Sequence, residues 1–525
     1  MEQTLVVVNY LPAFHFLHNP TVQGSFIFLV AASLISTFVA LAFLLSSTKE
    51  TKWPPSPPRL PLLGNLHQLS KGGNLLSTLT DMVKKYGPVI TVWMGPSPLI
   101  VLTGQASIWE ALVNQATNFS GRPSPYSRQF TSASFRTMIS SPYNQHWTKL
   151  RKVLHNNVLS PVHVALQSSS HQEAANKLIN KLEKEMKEKN GVVRPFHAFK
   201  MMGMSFMAHL CFGLDFQDEN FLSKLEEFIE EDINLTKNAD VFLDSFPPAR
   251  FFVPSSIRTE RKWKSLRTDV LRLLVPLIRF ARSYREYFKR SAPSSFLNCL
   301  LSIDEGEEGE DKSKLSDEEI AFSMYELCLL AVDSTSTAIE WAMAYLITNP
   351  QVQERAYHEI SQAAQEGNGG LFGLEDLRKL PYLQSVVKET LRKESIAPLG
   401  VIHQTEKECK VMGITIPAKS AVLFNLHSLS NDPEVWEEPE EFRPERFMGK
   451  NEVRMSYLPF GAGRRVCAGM DVASVYVPIT LANLLKSFEW GCVKEGSPPD
   501  LTRDITNVLM SMKYPLEARI TPRPS

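Results

Sequence analysis

The sequence predicts one large, mainly α-helical domain with small β-sheets, preceded by a single transmembrane helix. Three observations predict it: an apolar run near the N-terminus, a short β-branched stretch after it, and helical spacing of apolar residues through most of the remaining chain. Of the 525 residues, 43% are hydrophobic and 21% are charged, which is enough apolar material for a large core. Lys plus Arg equals Asp plus Glu at 56 each, so the overall charge does not indicate nucleic acid as a partner.

The apolar run predicts a membrane anchor. Residues 26–45 read FIFLVAASLISTFVALAFLL, twenty uncharged residues, and a helix of that length spans the roughly 30 Å of bilayer hydrocarbon. Lys49 and Lys52 follow it, whereas Glu2 is the only Asp, Glu, Lys or Arg that precedes it. By the positive-inside rule, we expect a short lumenal tail over 1–25 and a cytosolic position for the chain after the anchor.

A proline-rich connector is predicted between the anchor and the domain. Residues 46–63 include the run Trp53–Pro58 (WPPSPP), which is incompatible with a helix or a central strand and favours a stiff extended form that holds the domain off the membrane. Over 64–525 the sequence shows no internal repeat, Gly/Ser linker or composition break, so we expect a single catalytic domain there.

Local patterns predict the elements inside the domain. Residues 88–102 are β-branched and apolar around a Gly-Pro pair, which indicates two short strands. Helical spacing recurs further along, for example over 178–189, 221–234 and 270–288. The acidic run 304–311 (DEGEEGED) lacks apolar residues and is typical of a solvated loop.

A long central helix is predicted after the acidic run. Ser316 followed by Glu319 forms a capping box, and mostly apolar sequence continues from there. Residues 348–350 (TNP) end it, because proline disfavours helical geometry in the residue before it. A helix of about thirty residues would be about 45 Å long and would cross the whole domain.

The segment Phe460–Gly469 (FGAGRRVCAG) carries the clearest chemical signal. Cys467 lies near a predicted helix N-terminus, where the dipole and amide N–H groups favour a thiolate that can donate electron density to a heme iron. The glycines permit close approach to a flat macrocycle, Arg465 can pair with a heme propionate, and Phe460 can cover the sulfur. A buried structural cysteine and a dinucleotide-binding loop are the alternatives, but the latter lacks its third glycine here.

This segment resembles the heme-binding signature of the cytochrome P-450 superfamily. Glu389 and Arg392 match the family's ExxR motif, and residues 444–447 read PERF, as in a second family motif. The resemblance implies the cytochrome P-450 fold, a heme b cofactor with Cys467 as the iron ligand, and a buried network of Glu389, Arg392 and Arg446.

The same resemblance implies further heme contacts and an electron donor. Trp147 and Arg151 match the family's WxxxR motif, so these two residues, His403 and Arg465 should surround the heme propionates. The domain has no nicotinamide or flavin fingerprint, so electrons must come from another protein. NADPH-cytochrome reductase is the expected partner at the endoplasmic reticulum membrane. Basic residues expected beneath the heme could form its docking patch: Lys149, Lys152 and Arg464.

Within the long helix, residues 329–336 (LLAVDSTS) resemble the family's acid-alcohol pair. Oxygen cleavage needs protons delivered into a largely dry pocket, and a carboxylate beside a hydroxyl can relay them. We therefore expect Asp333 and Ser334 to be the catalytic residues. Ala331 stands where the family has glycine, and Ser334 where it has threonine. Helix polarity without a function is the alternative interpretation.

These departures, together with SIAPL over 395–399, VCAGMD over 466–471 and PLEARI over 515–520, resemble a plant subgroup that forms methylenedioxy bridges and includes canadine synthases. The resemblance implies an aromatic substrate with adjacent hydroxyl and methoxy groups. The methoxy carbon is oxidised, and the hydroxyl captures it. Intramolecular phenol coupling, which occurs in the same subgroup, is the alternative reaction. A heme sensor that never activates oxygen and a peroxide isomerase are the alternative classes.

The segment 120–137, which resembles the family's first substrate-recognition loop, gives a physical indication of substrate charge. Residues 120–137 contain Arg122, Arg128 and Arg136 but no acid, which would oppose a protonated amine and tolerate a carboxylate or a neutral phenol. The sequence therefore favours a phenylpropanoid-type acid, such as feruperic acid giving piperic acid, over an alkaloid or a lignan. Alternatively, the three arginines face heme propionates or water. The predicted pocket residues are Arg128, Phe130, Phe135, Ile396, Leu399, Val401 and Val508.

Overall fold

A computed structural model describes most of the chain after the predicted anchor. Besides Ser33 and Thr37, the described residues are 52–61, 63–71, 75–213, 219–237, 244, 254–292, 294–303, 314–366, 370–449, 455–506 and 509–524. The predicted lumenal tail, the rest of the predicted anchor, the acidic run 304–311 and Val508 lie outside them.

Helices make up most of the described chain, and the strands are short. The α-helices are α1 (Leu66–Lys71), α2 (Leu75–Tyr86), α3 (Gln105–Trp109), α4 (Gln145–Asn157), α5 (Pro161–Leu166), α6 (Ser168–Glu188), α7 (Phe196–Phe212), α8 (Glu219–Lys237), α9 (Pro254–Ser283), α10 (Arg285–Ser291), α11 (Phe296–Ile303), α12 (Asp317–Thr348), α13 (Pro350–Gln365), α14 (Pro381–Glu394), α15 (Leu426–Ser430) and α16 (Met470–Ser487). The strands are β1 (Val89–Met94), β2 (Ser97–Thr103), β3 (Val192–Val193), β4 (His403–Gln404), β5 (Cys409–Val411), β6 (Ile414–Ile416), β7 (Ala421–Asn425), β8 (Phe488–Gly491), β9 (Arg503–Thr506), β10 (Leu509–Met512) and β11 (Ala518–Pro522).

The mainly α fold with small sheets is confirmed, and so is the predicted pair of strands near the start. β1 and β2 are antiparallel, with Val89 opposite Leu102 and the Gly-Pro pair at the turn. The largest sheet in the described residues has the order β1-β2-β7-β4, with β7 parallel to β2. The short strand β4 places His403 opposite Val422 at the edge of this sheet.

The long helix α12 forms the centre of the core, as predicted. Ser316 caps it: its Oγ accepts a hydrogen bond from Glu319 N at 3.1 Å, and Glu319 Oε2 accepts one from Ser316 N at 2.8 Å. The helix ends at Thr348, and Pro350 begins α13. Both ends are thus set by local sequence, and most of the helix between them is buried.

The proline-rich connector is packed against the domain rather than free of it. The carbonyl oxygen of Pro55 accepts a hydrogen bond from Thr91 N at 2.8 Å, and that of Pro54 accepts one from Thr91 Oγ1 at 3.1 Å. The Trp53 ring meets the Trp93 ring edge-on, with 5.8 Å between centroids. Proline has no N–H to donate, but its carbonyl oxygen still accepts, so Pro54 and Pro55 can hydrogen-bond to β1. The described part of the connector therefore packs against the domain, and its role as a spacer stays a prediction.

No helix within the residues that the structure describes is both long enough and apolar enough to cross a membrane.

Candidate active site

The cysteine loop is a tight turn between a short 3₁₀ helix, Gly463–Arg465, and α16. Cys467 N donates a hydrogen bond to Phe460 O at 3.0 Å, which closes the loop. Gly463 has φ +74°, and a Cβ at this position would lie 1.9 Å from the carbonyl oxygen of Leu112. The loop therefore approaches the turn at Leu112 so closely that only glycine fits.

Cys467 is exposed, although it lies among core elements. Enough protein surrounds the thiol that desolvation raises its pKa, while the Gly469 N–H and the positive charge of Arg151 act in the opposite direction. The sequence predicted that amide groups would favour the thiolate. That contribution is present, but burial outweighs it. A reachable sulfur enclosed by protein is the geometry that a metal ligand requires.

A group of cationic side chains gathers beside the cysteine loop. Arg465 lies over the Trp147 ring, with its Cζ 4.5 Å from the ring centroid. Its guanidinium donates to Ser120 O at 2.8 Å and to Met138 O at 3.1 Å, and Trp147 Nε1 also donates to Met138 O, at 2.9 Å. Burial, together with the nearby charge of Arg151, lowers the pKa of Arg465 to about 10.

Arg122 belongs to this group, and its place there was not predicted. It is 8% exposed and donates to the carbonyl oxygens of Ile139 at 3.1 Å, Val401 at 3.1 Å and Ile402 at 2.8 Å. Burial and the charge of Arg465 lower its pKa to about 9. The alternative interpretation, that loop arginines face the propionates, thus fits Arg122. No motif in the sequence distinguishes Arg122 from Arg128 and Arg136.

His403 lies in the same region with a fixed ring orientation. Its Nδ1 is 2.6 Å from Phe119 O, and because a carbonyl only accepts, Nδ1 carries the hydrogen. Nε2 could therefore donate to a propionate only if the ring were protonated. Burial lowers the pKa of His403 well below its usual value, with Arg122 and Arg465 acting in the same direction. A hydrogen bond from His403 Nε2 to a propionate therefore requires the negative charge of that propionate to raise the pKa of His403 again.

These residues fit a flat dianionic cofactor such as heme. Within the part of the chain that the structure describes, the guanidinium groups of Arg122, Arg151 and Arg465 form no salt bridge with a carboxylate. A buried cluster of like charges is costly unless an anion completes it. Two propionates would supply that anion, and Cys467 would supply the axial sulfur.

One side of α12 is open in an otherwise buried helix. Leu330 is 41% exposed, and its helical neighbours Ala331, Ser334 and Thr335 are half-buried, whereas Val332 and Ser336 are buried. Residues spaced by three and four positions share a helix face, so this face is open as a unit. This face carries the apolar side chains of Leu330 and Ala331 together with Ser334 and Thr335.

The side chains of Asp333 and Ser334, the predicted acid-alcohol pair, have different partners. Ser334 Oγ donates to Leu330 O of its own helix at 2.7 Å. Asp333 is buried, and its Oδ1 lies 3.5 Å from Lys200 Nζ of α7. Burial raises the pKa of Asp333, and Lys200 partly offsets the shift, while Glu226 and Glu230 add to it. Adjacent helix residues point about 100° apart, so this separation follows from the helix itself.

The ExxR and PERF motifs meet in a buried network. Arg392 Nε donates to Glu389 Oε2 at 2.8 Å, and both side chains are fully buried. Arg446 Nε lies 3.1 Å from Glu389 Oε1. Arg392 also donates to the carbonyl oxygens of Ser430 at 2.9 Å and Pro439 at 2.8 Å. The network therefore ties α14 to the segment that leads into the cysteine loop.

The profile of the family described as Cytochrome P450 matches residues 54–518. The chain belongs to the cytochrome P450 family. It is 37% identical over 491 residues to a piperic acid synthase of Piper nigrum, covering 91% of this chain and 92% of that protein. It is 35% identical over 500 residues to an (S)-canadine synthase of Papaver somniferum, covering 94% and 97%. A solved zebrafish cytochrome P450 with abiraterone shares the fold, with a TM-score of 0.72 at 22% identity over 86% of this chain and 99% of that one.

As a cytochrome P450, the protein is a heme-dependent monooxygenase, an oxidoreductase that requires a reductase as its redox partner. Its relatives include plant enzymes that form methylenedioxy bridges. The subgroup resemblance seen in the sequence is thereby confirmed.

The arginines of the cytochrome P450's recognition loop have acidic partners from elsewhere in the chain. Arg128 Nη1 lies 3.0 Å from Asp232 Oδ1 of α8, and Arg136 forms an ion pair with Glu319 of α12. The prediction that the loop carries unopposed positive charge is therefore wrong for Arg128 and Arg136. The loop itself has no acid, but the fold supplies two, and contacts between distant segments were not visible in the sequence.

The other predicted pocket residues have varied surroundings. Phe130 and Phe135 are half-buried in the loop, and Phe130 meets Tyr126 edge-on at 5.7 Å between centroids. Ile396 and Leu399 are each 7% exposed and belong to packed apolar clusters. Val401 is half-buried and uses its carbonyl oxygen to bind Arg122. Their roles as pocket walls stay predictions.

Proposed function

We propose that this cytochrome P450 closes a methylenedioxy bridge on an aromatic plant metabolite that carries adjacent hydroxyl and methoxy groups. The similarity to the piperic acid and canadine synthases over more than nine-tenths of the chain is the observation that carries the proposal. The substrate loses two hydrogens as the methoxy carbon bonds to the hydroxyl oxygen. Molecular oxygen takes up those hydrogens together with two electrons from NADPH and two protons, and two water molecules leave.

When bound, heme supplies the oxygen activation and the oxidation of the methoxy carbon. In this proposal Cys467 holds the iron, and Arg122, Arg151 and Arg465 hold the propionates. Trp147, whose N–H donates to Met138 O, supports the guanidinium of Arg465 from below. The apolar face of α12 at Leu330 orients the aromatic ring and keeps water away, which limits side reactions.

Asp333 and Ser334 are proposed to bring protons to the reacting oxygen. The carboxylate takes protons from the polar side of α12, where Lys200 and two glutamates surround it. Ser334 lies on the open face, and its hydroxyl donates to Leu330 O at 2.7 Å. Rotation about one side-chain bond redirects that hydroxyl, so serine can serve here as a proton carrier.

The proposed substrate is a phenylpropanoid-type acid, with feruperic acid giving piperic acid as the concrete case. The similarity to the Piper nigrum enzyme supports this choice. The number of arginines in the loop does not support this choice, because Arg128 and Arg136 are paired with carboxylates. The alkaloid class, represented by the canadine synthase, is the second candidate because its similarity is nearly equal.

The test uses purified full-length enzyme with NADPH-cytochrome reductase and NADPH, supplied in parallel with feruperic acid and with a guaiacyl-bearing tetrahydroprotoberberine. Loss of two hydrogens together with the methoxy signal establishes bridge formation and identifies the substrate class. Loss of two hydrogens with the methoxy retained indicates phenol coupling instead. NADPH consumption without product from either compound would contradict the proposed reaction.

We also propose that residues 26–45 anchor the enzyme in the endoplasmic reticulum membrane, with 1–25 in the lumen and the heme domain in the cytosol. The charge distribution around the apolar run supports it. The full chain should stay with microsomes after an alkaline wash, whereas a variant that begins at residue 47 should be released to a large extent. Digestion of the heme domain only after the microsomes are opened would contradict the orientation.

A further inference from the structure

The recognition loop is fastened at both ends to the cationic group beside the cysteine loop. Arg465 donates to Ser120 O at 2.8 Å at the start of the loop, and to Met138 O at 3.1 Å and Ser141 O at 2.6 Å at its end. Both ends of the loop are therefore held beside the proposed heme edge. Any group that projects inward from the loop can contact a ligand bound above that edge.

Arg128 lies in the middle of this loop, in the 3₁₀ turn Ser127–Phe130, and contacts α8. Its Nη1 lies 3.0 Å from Asp232 Oδ1, and the exposed fractions of the two side chains are 29% and 2%. Asp232 is thus the buried partner that fixes the guanidinium, and Arg128 is the partner that other molecules can reach. Among the described residues, Nε and Nη2 of Arg128 donate no hydrogen bond.

A guanidinium held at one nitrogen still offers donors on its remaining edge. Two parallel N–H groups match the spacing of two carboxylate oxygens, and such bidentate pairs are among the strongest hydrogen-bonded contacts in proteins. The pair of Arg128 and Asp232 is formally neutral, so the preference comes from the free N–H donors, which suit carboxylate oxygens and offer nothing to a protonated amine. The fixed arginine therefore favours an anionic ligand.

The surroundings of Arg128 suit an aromatic acid. Tyr126 and Phe130 flank it in the same turn, with 5.7 Å between their ring centroids. Tyr325 of α12 is buried nearby, and its hydroxyl donates to Phe228 O at 2.9 Å. Burial raises the pKa of the nearby Glu326 to about 7, so near neutral pH this carboxyl is partly protonated and its repulsion of an anion is reduced.

We propose that Arg128, oriented by Asp232, binds the carboxylate of the substrate and places its aromatic end toward the heme. This inference rests on the proposed function and specifies which group reads the substrate's charge. Arg128 is a binding residue in it, and Asp232 is a positioning residue. A neutral or cationic substrate would gain nothing from this pair.

The test compares feruperic acid with its primary amide, which has nearly the same shape and no charge. Dissociation constants come from the change in heme absorption on ligand binding, with the full-length, heme-loaded enzyme. The wild type should bind the acid at least about tenfold more tightly than the amide, since a charge-assisted pair replaces a neutral contact. Arg128→Gln should weaken acid binding about tenfold to a hundredfold and change amide binding about threefold at most.

Three further variants separate charge reading from a general loss of structure. Arg128→Lys should recover part of the preference, because it restores the charge without the fork. Asp232→Asn should weaken acid binding less than Arg128→Gln does. Arg136→Gln, an arginine of the same loop that pairs with Glu319, should keep the wild-type preference.

Equal affinity of the wild type for acid and amide would overturn the inference, and so would an Arg128→Gln variant that retains the preference. Equal weakening of both ligands in that variant would show that Arg128 only holds the loop in place. Binding is measured without turnover, so the two proposals fail separately. An acid preference that depends on Arg128 without bridge formation leaves this inference standing, and bridge formation on uncharged substrates alone would refute it.

Discussion

Lys200 and Asp333 form a buried ion pair between α7 and α12, with 3.5 Å between Nζ and Oδ1 and with 8% and 12% of their side chains exposed. Burial lowers the pKa of Lys200, but Asp333, Glu230 and Glu226 outweigh it, and the pKa is raised. The lysine therefore stays charged, and its charge opposes the rise that burial causes in the pKa of Asp333, the proposed proton-delivery carboxyl.

Replacement of this lysine should slow turnover by shifting the protonation of Asp333. In Lys200→Met the pKa of Asp333 should rise, because burial and the two glutamates then act without opposition. Since the carboxylate must be ionised to accept a proton, the acid limb of the rate profile should move to higher pH. Turnover at neutral pH should fall about tenfold, and more NADPH should be consumed per product.

Lys200→Arg is the matched control, because it retains the charge and should keep the wild-type acid limb. Heme content of each variant shows whether the fold is intact. An unchanged acid limb in Lys200→Met, with normal heme content, would show that the pair is structural and does not tune proton delivery.

The cysteine loop provides a matched pair of glycines. Both Gly461 and Gly463 have positive φ, at +70° and +74°, but only Gly463 meets backbone where a Cβ would lie. Gly461→Ala should cost about 1–2 kcal/mol of backbone strain and retain heme. Gly463→Ala must displace the loop from Leu112, so heme content and the thiolate-dependent absorption of the reduced carbonyl complex should be largely lost.

Equal heme loss in the two variants would show that backbone strain alone decides the outcome. Equal retention would show that the contact with Leu112 yields easily. Cys467→Ser serves as the reference, since loss of the proposed ligand should remove the thiolate-dependent absorption even where heme remains bound.

Features with local determinants were predictable from the sequence. The capping box of Ser316 and Glu319 and the hairpin of β1 and β2 each depend on a few neighbouring residues, and the structure has both. The partner of Arg128 lies 104 residues away on α8, where no motif marks Asp232. Lys200 was missed for the same reason, because a lysine in an apolar helix has no signal until the fold places a carboxylate beside it.

The acid-alcohol pair shows a different limit. Residue identity predicted Asp333 and Ser334 together because they are adjacent in sequence. Helix geometry places them on different faces, so their surroundings differ: Asp333 meets Lys200, and Ser334 lies on the open side. The helical periodicity was known in advance, but which face was open depended on tertiary packing.

Glu340 should make the protein less stable as the pH rises. It is 2% exposed, accepts a hydrogen bond from Leu516 N at 2.9 Å, and burial raises its pKa from 4.5 to about 7. The folded state therefore binds more protons than the unfolded state between these pH values, and the free energy of unfolding falls as pH rises through that window. The accumulated loss above it is on the order of 3 kcal/mol.

Glu340→Gln keeps an oxygen for the Leu516 N–H and removes the titration. Its unfolding temperature relative to the wild type should therefore increase between about pH 5 and pH 8. Glu495→Gln changes an exposed glutamate and should show no such trend. A constant difference between Glu340→Gln and the wild type across this range would mean that Glu340 is ionised in the folded protein throughout.

The proposed reductase-docking patch can be tested through its charge. Lys149, Lys152 and Arg464 are exposed, and within the described residues none of them forms a salt bridge. Lys149→Glu with Lys152→Glu should raise the KM for reductase about tenfold, with a smaller change in the rate at saturating reductase. The wild-type rate at low reductase should fall as salt rises, because exposed charges are screened beyond about 10 Å at 0.1 M.

Lys181→Glu, an exposed lysine on α6, is the control for a general change of surface charge and should leave the KM for reductase unchanged. The salt dependence should also be weaker in the double variant, since fewer favourable charge pairs remain to be screened. If the double variant keeps both the wild-type KM and the wild-type salt dependence, reductase does not use these lysines. Electron transfer would then depend on contacts elsewhere on the face that carries Cys467.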